Sequence, residues 1–227
     1  MRIDIISAVP DLLLSPLNTS IIKRAQDKNL VEIFVHNLRD FAKNKHRQID
    51  DKPFGGGAGM LLMPEPFFLA IEYLRKDRKY DNTIFTTPAG KIFDQGYANK
   101  LSLSKNLLFI VGHYKGIDDR VREYFATDEI SIGNFVLSGG ELPTLLIVDS
   151  IVRLIPGVLN DSESALNDSF MDDQKIEAPN YTRPAIFNGM EVPDILLSGN
   201  RKLIEEWKEE KSNMLTEKWK KLNSLEK

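Results

Sequence analysis

The chain has 227 residues, 42% of them hydrophobic and 28% charged, with a formal net charge of −3. This balance suits a globular protein with a real core, either one large domain or a domain with a small companion. The absence of cysteine excludes disulfides, a thiolate zinc site and a cysteine nucleophile.

Five short apolar runs predict buried strands: Ile3–Ile6, Val31–Val35, Thr83–Thr87, Leu107–Gly112 and Glu129–Ile132. Each is brief and bounded by Gly, Pro or Asn. Helical patterns lie between them. Pro66–Lys76 puts Phe67, Ala70, Ile71 and Leu74 on one face, and Asp94–Leu101 and Asp118–Phe125 are shorter candidates. Strands alternating with helices predict an α/β fold with a mostly parallel sheet. From Glu141 to Ile155 apolar residues run nearly all round the helix, among them Leu142, Leu145, Leu146, Ile147, Val148, Ile151 and Val152. Such a helix is buried on several sides, in the core of its own subunit or at a subunit interface.

Pro156–Gly157 ends that helix. The stretch 160–175 is rich in Ser, Asn and Asp and reads as a mobile linker. Leu203, Ile204, Trp207, Met214, Leu215, Trp219 and Leu222 then fall at spacings of three and four, predicting one helix or two. The expected organisation is an α/β body over 1–159, a linker over 160–175 and a helical C-terminal domain over 176–227. No run approaches the roughly 18 apolar residues that span a bilayer, and the N-terminus has no secretory pattern. A soluble, cytoplasmic protein without a membrane partner is expected.

The net charge by itself does not favour nucleic acid, but it is unevenly spread. Ile21–Lys52 holds eight basic residues against five acidic ones, whereas Asn160–Glu177 holds six acids against Lys175 alone. Each is either solvated surface or part of a partner's footprint.

Three predicted strand ends carry glycine-bearing segments: TTPAG at Thr86–Gly90, VGHYKG at Val111–Gly116 and SIGNFVLSGGELP at Ser131–Pro143. Ligands in open α/β sheets sit at the carboxyl ends of strands, where small residues let backbone approach them. The segments are either three unrelated turns or one pocket lined by main chain, suited to a neutral, adenosine-like ligand. A fourth cluster, PFGGGAGM at Pro53–Met60, is neither a P-loop nor a dinucleotide fingerprint. It follows His46, Arg47, Asp50 and Asp51, so it reads as a plain surface loop or as a holder of a phosphate or base edge. No nucleophile elbow and no His-Glu-x-x-His motif occurs. The three histidines, His36, His46 and His113, lack metal-ligand spacing, and His36 reads as a packed strand residue. No metal site is expected from these residues.

DDKPFGGGAGM, GHYKGIDDRV, SIGNFVLSGGELP, IPGVL, NDSF, YTRP and GMEVPDILLSGN occur in one order. Together they resemble the bacterial tRNA (guanine-N1)-methyltransferases, over Met1 to about Trp207. The resemblance implies an enzyme of the knotted SPOUT class, although periodicity alone gives an unknotted sheet. It implies a deep trefoil knot, a homodimer with its active site at the subunit interface, and transfer of a methyl group from S-adenosylmethionine to the guanosine 3′ of the anticodon (position 37) in tRNA. The implied donor-binding residues are Pro88, Gly112, Tyr114, Gly116, Ile132, Gly133, Asn134, Phe135, Val136, Leu137, Gly139, Gly140 and, less closely matched, Glu177. The implied catalytic residues are Asp168 in NDSF, as general base, and Arg153 in SIVRLIPG. Arg153 read from pattern alone is a helix C-terminal cation, and Asp168 one acid among many. The implied tRNA contacts are His46, Arg47, Asp50, Gly59 and Arg183.

The sequence departs from the family pattern at three positions within these motifs. Lys115 stands where many members have Glu, which puts in doubt a supporting role for Mg2+ beside the donor. His113 replaces a common Arg and Phe135 a common Tyr. The C-terminus looks shorter than usual and its last stretch is poorly matched. Two other readings remain: a knotted methyltransferase acting on a ribose hydroxyl or another base, and a non-catalytic RNA- or nucleotide-binding module.

Overall fold

The structure, a computed structural model, describes residues 1–159, 168–171 and 175–224. The chain divides into two compact units, Met1–Asn160 and Asp161–Lys227.

The first unit is built on a parallel sheet of β1 (Arg2–Ser7), β2 (Glu32–Asn37), β5 (Asn82–Ile92), β6 (Asn106–Ile110) and β7 (Asp128–Ser131), in the order β2-β1-β6-β5-β7. A two-strand ribbon, β3 (Asp50–Asp51) with β4 (Leu61–Leu62), stands apart from it. The five predicted strands are all present, with ends shifted by one or two residues, except that β5 runs on to Ile92. Pro88 and Gly90 read as strand terminators, yet they sit in a bulge. Thr86 and Lys91 both register against Ile130 of β7, so the chain between them loops out and then rejoins the same ladder. Gly90 permits the return, since a Cβ there would lie 2.5 Å from backbone atoms of Glu129 and Ile130.

Alternation along the strands feeds two cores. Ile3, Ile5, Leu107 and Phe109 pack with helices α1 (Asp11–Leu17), α2 (Ser20–Asp27), α4 (Gln95–Ser102) and α6 (Glu141–Val152). Ile6, Leu108 and Ile110 face the other way, onto α3 (Pro64–Arg75) and α5 (Asp119–Phe125). The predicted face of α3 is the buried one: Phe67, Ala70, Ile71 and Leu74. Asp94 and Asp118 prove to be N-caps, their side chains accepting from the amides of Tyr97 and Arg120. Helices α1 and α2 were not predicted. Pro16 inside α1 imitates a breaker, and each helix buries only two residues, too few to set a period.

Helix α6 packs on α1, α2 and α4. Its own core therefore accounts for most of the all-round apolar pattern, but Leu142 and Leu146, one turn apart, remain 57% and 47% exposed. Among the described residues no helix is long and apolar enough to cross a membrane.

Asp4 of β1 is a buried carboxylate held by three residues: His36 Nε2 at 2.7 Å, Arg2 through Nε at 2.8 Å and Nη2 at 3.0 Å, and Tyr80 Oη at 3.0 Å. His36 is thus the packed strand residue expected. Burial pushes the Asp4 carboxyl up, but the bonds from His36, Arg2 and Tyr80 outweigh it and bring it down to about 2. A depressed folded-state value stabilises the protein above the unfolded value and loses that contribution as pH falls through the folded one. Urea unfolding from about pH 5 to about pH 3 is expected to cost the parent about 1 kcal/mol more than Asp4→Asn. Equal slopes in the two proteins would show that Asp4 has no part in acid stability.

The second unit, described by itself, holds a ribbon of β8 (Ile186–Phe187) and β9 (Met190–Glu191), a short helix Asp194–Leu197 and one long helix Arg201–Ser224. Residues 160–167 and 172–174 of the expected linker lie outside the described residues. Those that are described are tied to the long helix. Phe170 meets Trp219 edge to face at 5.4 Å, and Lys175 Nζ pairs with Glu209 at 2.7 Å. Ser212 and Thr216 bond the backbone of Ile176. On this helix Ser212 and Thr216 are buried and Ile204, Trp207, Leu215 and Trp219 partly buried, whereas Leu203, Met214 and Leu222 are exposed.

Candidate functional site

Strands β6, β5 and β7 are neighbours, so the segments at their carboxyl ends emerge side by side. They form one cavity of about 280 Å³, which decides between the two readings of the glycine segments. The β5 bulge supplies Thr86, Thr87 and Pro88. The β6 turn supplies Gly112, His113, Tyr114, Lys115 and Gly116. The β7 segment supplies Ile132, Gly133, Phe135, Val136, Leu137, Ser138, Gly139 and Gly140, with Pro143 from α6. The second and third segments are bonded to each other: Gly140 N donates to Gly112 O at 2.7 Å, and His113 bridges Gly139 as an isolated antiparallel pair.

That close approach explains two glycines. A Cβ on Gly140 would collide with Thr86 Oγ1 and stand 3.3 Å from Gly112 N. A Cβ on Gly139 would collide with Glu141 Oε2 and His113 Nδ1. Neither position has room for a side chain.

Of the expected donor-binding residues, Pro88, Gly112, Tyr114, Gly116, Ile132, Gly133, Phe135, Val136, Leu137, Gly139 and Gly140 line this cavity. Asn134 lies on the same segment, exposed and outside the wall. Glu177 is in the second unit, exposed; its amide donates to Ser169 Oγ at 2.9 Å and its carboxylate accepts from Asn180. Thr86, His113, Lys115 and Ser138 also stand in the wall, residues of the glycine segments that the expected donor-binding set leaves out. Their signal was adjacency to the glycines, since a turn that brings main chain to a ligand also brings the side chains between.

The wall is mostly main chain and apolar side chain, with no carboxylate among its described residues. It fits a neutral, nucleoside-like group. Thr86 Oγ1 is buried without a hydrogen-bond partner, a costly state for a hydroxyl. The wall does not fit Mg2+, which needs oxygen ligands, often carboxylates: its lysine is a cation, and no group of three metal-ligating side chains occurs among the described residues.

The fourth glycine cluster docks beside the β6 turn. Lys115 N donates to Met60 O at 3.1 Å and Leu62 N to Gly116 O at 3.0 Å. The Lys115 side chain runs along Gly59, and its Nζ is 3.1 Å from where a Gly57 Cβ would stand. Asp50 and Gly59 thus flank the cavity turn, Asp50 through its pairing with Leu62. His46 and Arg47 are exposed, and Arg47 is held by Asp40 and Arg39 O. Arg153 caps the C-terminal end of α6, its amide bonding Asp149 O at 3.2 Å. Asp168 accepts at its carbonyl from Met171 N and belongs to the second unit, as does the exposed Arg183.

A family model described as tRNA (guanine-1)-methyltransferase TrmD matches residues 1–225. The chain belongs to the tRNA (guanine-1)-methyltransferase family. It is 52% identical over 216 residues to the tRNA (guanine-N(1)-)-methyltransferase of Chlorobaculum tepidum, covering 95% of this chain and 94% of that one. The protein of the same name from Bacteroides fragilis is 54% identical over 212 residues, covering 93% and 94%. That from Christiangramia forsetii is 54% identical over 218 residues, covering 96% of each. The family match therefore continues past Trp207 and through the long C-terminal helix.

Proposed function

We propose that the chain transfers a methyl group from S-adenosylmethionine to N1 of the guanosine 3′ of the anticodon in tRNA. The observation that carries the reading is the convergence of three glycine segments from adjacent strands on one main-chain-lined cavity, in a chain of this family. When bound, the donor supplies a methyl group already activated by its sulfonium, so alignment with the nucleophile is the main remaining demand.

The nucleophile needs more help. Guanine N1 carries a proton at neutral pH and attacks only as that proton leaves. Asp168 is assigned as the general base. Negative charge then develops toward O6, where the Arg153 guanidinium stabilises it. The guanine must leave its stack to reach the cavity. His46, Arg47, Asp50 and Gly59, with Arg183, are assigned to the tRNA; the docking of the Gly57–Gly59 loop on Lys115 supports this for the loop, which lies next to the cavity wall. The ordering of Asp168 at the reaction centre when tRNA docks is proposed from its position within the expected linker, 160–175.

The finer fold assignments belong to the same proposal. A deep trefoil knot is supported by the path after β7: the chain leaves the edge of the sheet and passes back across β5 to bond Gly112 at the end of β6. A homodimer is supported by the exposed Leu142 and Leu146 on α6 and by exposed Phe135 and Val136 on the cavity wall, an apolar surface suited to a second copy. The C-terminal helical region is assigned to tRNA binding in the cytoplasm. No step of the mechanism uses a metal.

With labelled S-adenosylmethionine, label is expected to enter tRNA carrying guanosine 3′ of the anticodon and not the same tRNA carrying adenosine there. Equal labelling of both would overturn the proposal.

A further inference from the structure

Beneath the cavity lies an acidic side chain that the proposed mechanism does not use. Glu141, the first residue of α6, is 1% exposed. Ser7 Oγ donates to its Oε1 at 2.8 Å, and His113 Nδ1 lies 3.2 Å from its Oε2. Ser7 is itself fixed, its oxygen accepting from Val9 N at 2.9 Å, so its single proton is directed at Glu141. The carboxylate therefore joins three elements: the end of β1, the start of α6 and the β6 turn of the cavity.

We infer that Glu141 is a positioning residue for the donor cavity, acting through His113. The inference rests on the donor-site reading above. A buried carboxylate is tolerated only where its oxygens are satisfied, and these have one donor each. An ionised carboxylate only accepts, so the contact places a proton on His113 Nδ1 and fixes the ring. That ring stands in the cavity wall and its backbone bridges Gly139. Glu141 thus holds the β6 turn against the β7 segment at the point where a Cβ on Gly139 would strike both Glu141 and His113. The absence of a side chain at Gly139 is what lets the two groups meet.

The test is calorimetric titration with S-adenosylhomocysteine of the full-length parent, Glu141→Gln, His113→Ala, the double variant and His113→Asn, each checked for folding by thermal unfolding. Glu141→Gln and His113→Ala are each expected to raise Kd about tenfold or more. If Glu141 acts through His113, the double variant will be no more than about threefold weaker than His113→Ala. His113→Asn, whose amide N–H can donate to the carboxylate from nearly the place of Nδ1, should bind within about threefold of the parent. Effects that multiply in the double variant, or an Asn variant as weak as Ala, would overturn the inference. Should Glu141→Gln fail to fold, the Ala and Asn comparison at His113 still decides it. A parent that binds no S-adenosylhomocysteine would overturn the donor-site reading as well, a result distinct from either of those.

Discussion

Asp168→Ala is expected to lower the rate of methyl transfer by about 10²- to 10⁴-fold, the usual contribution of a positioned general base, while S-adenosylhomocysteine binds within about twofold of the parent. The reason is a division of labour. The cavity that would hold the donor is formed wholly within the first unit, by residues of three strand ends. Asp168 belongs to the second. Replacing it changes no residue of the cavity wall and takes away the group assigned to accept the N1 proton. The effect should fall on the chemical step, so single-turnover rates would drop with the steady-state rate. Full activity in this variant would remove Asp168 from the mechanism.

The second large effect is expected at Gly140. Alanine there puts a methyl group into Thr86 Oγ1 and within 3.3 Å of Gly112 N, at the point where Gly140 N bonds Gly112 O. The threonine can rotate, but the backbone of Gly112 cannot move without parting the two turns. Overpacking of this kind costs about 1–3 kcal/mol. If the loss falls on the donor complex, Kd rises about 5- to 150-fold. Gly96→Ala is the matched control, because its Cβ meets nothing nearer than Asp94 at 3.5 Å. It lies in α4, where alanine is the better helix former, so donor affinity should be unchanged. A Gly140→Ala protein that binds like the parent would mean that the contact between the two turns does not shape the cavity.

Much of this architecture is legible in the sequence. The strands were visible because each is a short apolar run, and the face of α3 because Phe67, Ala70, Ile71 and Leu74 keep a helical period. The shared cavity was visible only as an alternative, since a glycine turn carries no label for the turn it will meet. What decided it is the strand order, which sets β6, β5 and β7 side by side, and order is a long-range property that periodicity does not encode. The extent of β5 was misread for the opposite reason. Pro88 and Gly90 are local breakers, and the pairing of Lys91 and Ile92 with β7 overrides them. The C-terminal helix shows a third limit. Its apolar spacing shows a helix but not which residues it buries: Leu203, Met214 and Leu222 stay exposed, while the polar Ser212 and Thr216, bonded to Ile176, are buried. Glu141 was passed over because a single acid at a helix start reads as a favourable dipole contact, and only the fold brings Ser7 and His113 to it.

The measurement that tests the account most directly is the identity of the methylated nucleoside. tRNA labelled by the enzyme from S-adenosylmethionine is digested to nucleosides and resolved by mass spectrometry against standards. The account predicts that the label is in 1-methylguanosine, and that it is lost when Asp168 is replaced. Label in a ribose-methylated nucleoside or in another methylated base would contradict it.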